Sequence, residues 1–108
     1  MRAALKRLHS PDVDLASYWP DDPANFGFLL QALIGPEDAP GEESFGFMVC
    51  TPRWLETKAE GRILFGIHHL IVADYDLNAI EQHLKRHCER CVGATWQEVA
   101  TKLARVGQ

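Results

Sequence analysis

The stretch FGFLLQALIGPEDAPGEESFGFMVCTP, residues 26–52, decides the fold. In FGFLLQALI (26–34), Phe26, Phe28, Leu30, Ala32 and Ile34 share one face, and Leu29 and Leu33 lie on the other. That pattern suits a central strand covered on both sides. GPEDAPGEE (35–43) is a polar loop, and ESFGFMVCT (43–51) resumes the alternation through Phe45, Phe47 and Val49. Two strands joined by a loop rich in Gly and Pro most simply pair antiparallel. Thr51-Pro52 then starts a helix, with a capping hydroxyl followed by a proline whose missing N–H costs nothing in the first turn. This helix, through Trp54 and Leu55, is short because Gly61 follows.

Working outward, RAALKRL (2–8) reads as a first strand. SPDVDLASYWPDDPAN (10–25) is dense in Pro and Asp and favours turns. On the other side, ILFGIHHLIVADY (63–75) is rich in β-formers, and Gly66 within it marks a bulge or bend. From Asp76 the period changes: Leu77, Ile80, Leu84, Cys88 and Cys91 form one helical stripe, which Gly93 ends. Thr95-Trp96-Gln97-Glu98 is a capping box, and Trp96, Val99 and Leu103 are the buried stripe of a last helix. The sequence therefore predicts one α+β domain over residues 1–108. Its mainly antiparallel four-stranded sheet carries a short helix and two C-terminal helices packed on one face.

A chain of 108 residues, 46% apolar and 24% charged, is long enough to bury one core and is not a disordered composition. The net charge of −4 argues against tracking along nucleic-acid phosphates. No apolar run is long enough for a membrane span, and MRAALKRLHSPD at the start lacks the apolar core of a secretory signal. The three cysteines, Cys50, Cys88 and Cys91, are an odd set, which suits reduced thiols in a cytoplasm.

The charge is unevenly placed. Residues 8–52 contain no Lys or Arg but eight carboxylates: Asp12, Asp14, Asp21, Asp22, Glu37, Asp38, Glu42 and Glu43. The remainder of the chain carries a net +4. A solvated face that aids solubility explains such a run equally as well as a partner-binding face. Tyr18 and Trp19, flanked by Pro20 inside the first acidic loop, have little periodic reason to be core. Aromatics ringed by carboxylates suit an anchor with a rim, built for a basic partner.

Chemistry has weaker support. His83, His87, Cys88 and Cys91 have metal-ligand spacing on a helix, but Cys88 and Cys91 also complete its apolar stripe and read as core. A Cys-x-x-Cys at a helix end also lacks the dipole that activates a redox thiol. His68-His69, placed in a strand, would point to opposite faces with no announced catalytic partner. No GxGxxG, P-loop, HExxH or GxSxG is present, and the sequence implies no cofactor and no catalytic residue.

HSPDVDL (9–15), ANFGFLLQALIGP (24–36), GEESFGFMVCTPRWL (41–55), FGIHHLIVADYD (65–76) and TWQEVATKLARVG (95–107), in this order and spacing, resemble the immunity protein 8 family of bacterial polymorphic toxin systems. The resemblance spans nearly the whole chain. It implies a small α+β protein that binds and neutralises a cognate toxin inside the producing cell or its kin. It supplies no catalytic and no contact residues. A basic nuclease is the toxin that best fits the charge. The expectation is thus a non-enzymatic antitoxin that occludes the toxin's active site or substrate channel. Tyr18 and Trp19 would be the anchors, with the eight carboxylates of 8–52 as a steering rim. Two other readings stand beside it: a metal- or thiol-dependent protein using the cluster at 83–91, and a regulatory module that binds another endogenous protein.

Overall fold

A computed structural model describes all of residues 1–108. Strands β1 (Ala3–His9), β2 (Gly27–Pro36), β3 (Glu43–Cys50) and β4 (His69–Ile71) form one sheet in the order β1-β2-β3-β4. The first three run antiparallel to their neighbours, and β4 runs parallel to β3. A parallel neighbour needs a crossover, and α1 (Pro52–Ala59) lies within it. Helices α2 (Leu77–Arg90) and α3 (Trp96–Leu103) close the chain. The α+β class and the element order agree with the sequence reading.

Alternation builds the core. Phe28, Leu30, Ala32 and Ile34 of β2 are buried beside Phe45, Phe47 and Val49 of β3, with Leu30 facing Phe47 and Ala32 facing Phe45 across the ladder. Ile80, Leu84 and Cys88 of α2 and Val99 and Leu103 of α3 complete the cluster, so the two C-terminal helices share one sheet face. Each large side chain fully buried here contributes roughly 1.5–3 kcal/mol.

The sequence reading has β2 covered on both faces, and here the structure differs. Leu29 and Leu33 are only half-buried, because α1 reaches the second face through Trp54 and leaves the rest of it thinly covered. Trp54 lies so close over Gly27 that a Cβ there would sit 2.3 Å from the indole. Glycine is what lets the helix approach the strand.

Side chains cap all three helix starts, at Thr51 and Thr95 as the sequence predicts and at Asp76 in addition. Thr51 Oγ1 accepts from Trp54 N at 3.4 Å, Asp76 Oδ1 from Ala79 N at 3.0 Å, and Thr95 Oγ1 from Glu98 N at 3.3 Å. Glu98 reaches back to the N–H of Ala94, at 2.9 Å, one residue before the cap itself. Helix α2 ends at Arg90 with Cys91 as its C-cap, slightly earlier than Gly93.

The β-rich stretch 63–75 is the main departure. Only His69–Ile71 pairs as a strand. Upstream along β3, Gly46 exchanges two backbone hydrogen bonds with Gln108, at 3.1 and 2.9 Å, so that part of the edge is already taken. Gly107 makes this possible by lying against the Phe47 ring and the Phe45 Cβ. His68 turns the chain with φ of 60°, so it precedes the strand and does not alternate with His69 inside it. Ile63, Leu64, Phe65 and Ile67 are left exposed.

Candidate functional site

The loop from Ser10 to Phe26 joins the end of β1 to the start of β2, and short polar side chains hold it. Where β1 leaves β2, Ser10 Oγ donates to Leu29 O at 2.6 Å and Asp12 Oδ2 accepts from Leu29 N at 2.8 Å. Two side chains thereby replace a strand partner. Asp14 closes the next turn by accepting from Ala16 N and Ser17 Oγ. Asp22 does the same for Ala24 N and meets Arg53 at 3.5 Å. Asp21 makes no hydrogen bond or ion pair.

This loop also carries the aromatics. Tyr18 is half-buried and packs edge-on against Phe28 at 5.3 Å and Tyr75 at 5.2 Å. Trp19 meets the same Tyr75 edge-on at 5.5 Å but is 65% exposed. The two expected anchors therefore divide their work: Tyr18 fastens the loop to the core, and Trp19 is the one presented outward. Burial, and then the Asp21 carboxylate, raise the Tyr18 hydroxyl above its ordinary pKa. Tyr75, at the centre of the cluster, is buried with a hydroxyl that has no hydrogen-bond partner.

Glu37, Asp38, Glu42 and Glu43 lie at or beside the β2–β3 loop, at the opposite end of β2. Ten strand residues separate the two ends by about 30 Å. The eight carboxylates thus form two groups and not one continuous rim. Glu42 pairs with Arg7 at 2.8 Å, and Glu43 accepts from Trp96 Nε1 at 2.7 Å, whereas Glu37 and Asp38 are exposed. Arg7, Arg53 and Trp96 all lie outside 8–52, so the relief of the acidic run comes from residues distant in sequence.

Around α2, the Cys91 thiol is 3.6 Å from His87 Nε2, while Cys88 faces the core. No group of three or more His, Cys, Asp or Glu comes together to hold a metal ion. Burial, aided by Cys91 and Glu89, pushes the Cys88 thiol up to about 11. Burial also raises Cys91, and it lowers His87 with help from Arg90 and His83. These shifts favour the uncharged thiol and imidazole, which suit packing better than nucleophilic chemistry. His69 Nδ1 lies 2.9 Å from Ile67 O, and no nucleophile is hydrogen-bonded to either ring of the His68-His69 pair.

The immunity protein 8 family model matches residues 3–108. The chain belongs to that family. Immunity proteins of toxin systems are not enzymes, and the family implies a cognate toxin as partner. No curated protein and no solved structure gives a significant match. No helix is long and apolar enough to cross a membrane.

One surface escaped the sequence reading. Leu64, Phe65, Ile67 and Ile71 lie beside α1 with fully exposed Ile63 just before them, and with Trp54, Leu29 and Met48 several of them border a groove of about 450 Å³. Their apolarity suggested a strand. Gly66 and the tight chain return after α1 were the signals that residues 63–67 stay outside the sheet.

Proposed function

We propose that this immunity protein neutralises its toxin in the cytoplasm by steric occlusion. It docks the loop of residues 10–26 over the toxin's active site or substrate channel. Exposed Trp19, braced on Tyr75 and standing beside Asp21 and Asp22, is the observation that carries this reading. Trp19 is the anchor, and Tyr18 supports it from below. Asp21 and Asp22 form the near rim, with Asp12 and Asp14 in the same loop adding charge while they hold its shape. The group at Glu37, Asp38, Glu42 and Glu43 extends the negative field at the far end of β2. Such a field suits a basic toxin, a nuclease above all, and it acts mainly on the encounter rate.

The test uses purified toxin domain with the intact chain. Trp19→Ala weakens binding by about 10-fold or more, as expected for an interfacial tryptophan. Changing Asp21 and Asp22 together to Lys slows association at low salt, and the difference shrinks as salt is raised. In co-expression, the Trp19 variant also loses rescue of toxin-arrested cells. Unchanged association and rescue in all of these variants would overturn the loop as the docking site.

A further inference from the structure

We infer that the apolar surface of residues 63–71, with α1 and the free edge of β4, is the contact between two copies of this chain. Ile63, Leu64, Phe65, Ile67 and Ile71 are 99%, 48%, 86%, 61% and 53% exposed. With roughly 200 Å² on each large apolar residue, on the order of 700 Å² is left open. Monomers rarely expose an apolar patch above about 300–600 Å². A standard interface takes about 800 Å² from each partner. The patch is of the size a stable dimer needs.

Charge selects the occupant. The docking loop at 10–26 carries four carboxylates and no base, so it cannot meet its own copy without repulsion. Around the apolar patch both signs are present: Glu56 and Glu60 alternate with Lys58 and Arg62 along and just after α1, all exposed. An isologous contact brings the same surface together twice, and only a patch holding both signs can then pair its charges. A strongly basic partner gains nothing from such a mixed rim.

The sheet edge agrees. The start of β1 is bridged by Val92 through Arg2, and β3 at Gly46 is paired by Gln108. Strand β4 ends the sheet next to the patch, with its His69 N–H turned to Gly66 O at 3.3 Å and no further strand beyond it. A second β4 related by a two-fold axis can run antiparallel to it. An antitoxin also has to stay soluble before any toxin arrives, and a second copy is the partner always at hand.

Mass determination by light scattering and sedimentation, on the full chain without toxin, tests this directly. The expected species is a dimer at micromolar concentration. Phe65→Glu raises the dimer dissociation constant by about 100-fold or more, with an unchanged far-ultraviolet circular dichroism spectrum. Lys58→Glu weakens association less, and chiefly at low salt. A wild-type chain that stays monomeric up to high micromolar concentration overturns the proposal. So does a dimer indifferent to Phe65→Glu. A monomer whose toxin binding is lost on Phe65→Glu also overturns it, and assigns the patch to the toxin.

Discussion

This molecule has two long irregular segments, and they are held in opposite ways. The loop at 10–26 is polar, yet Ser10, Asp12, Asp14 and Asp22 each close main-chain hydrogen bonds, and Tyr18 fixes it to the core. The segment at 61–68 is apolar, yet Ile63, Phe65 and Ile67 stand out from the surface. Order in a loop comes from side chains that can satisfy backbone groups locally, and hydrophobicity alone supplies none of that. A polar loop can therefore be the rigid one. An apolar one waits for something to cover it.

Matched aromatic truncations put this contrast at most risk. Tyr18→Ala should cost about 2–3 kcal/mol in urea unfolding, because it removes a ring that three elements share. Phe65→Ser, read at the lowest workable protein concentration, should shift protomer stability by under about 0.5 kcal/mol. Equal losses in the two variants would erase the distinction. Asp12→Ala comes next, at about 1–2 kcal/mol, since the Leu29 N–H loses its acceptor. Asp12→Asn keeps an acceptor oxygen and should recover much of that loss. The smallest effect is expected at Tyr75→Phe, which removes an unpaired buried hydroxyl and should leave the midpoint unchanged or raise it slightly. A clear loss there would show that the Tyr75 hydroxyl has a partner in solution.

The contrast also explains what the sequence made legible. Phe28, Leu30, Phe45 and Phe47 announced two antiparallel strands because a period of two has few other readings. The caps at Thr51 and Thr95 were equally plain, since each needs only atoms within three residues. Whether Ile63 and Phe65 joined a strand depended on who else sought the edge of β3, and the competitor, Gln108, is far away in sequence. The acidic run looked like one surface because adjacent letters hide that β2 carries its two flanking loops to opposite ends. The sequence pairs Tyr18 with Trp19 as neighbours, and only packing on Tyr75 and Phe28 separates the buried ring from the presented one.

One hydroxyl has a reach larger than its size. Thr51 Oγ1 accepts from Trp54 N, the first turn of α1, and also from Phe26 N at 3.2 Å, the last residue of the docking loop. Loss of that one oxygen uncaps the helix and frees the Phe26 N–H at once, and the capping part alone costs about 0.5–2 kcal/mol. In the proposed docking, a toxin reaching Trp19 meets a loop already tied at both ends, by Ser10 and by Phe26. Association in that docking is paced by encounter and orientation, with no loop ordering added to it.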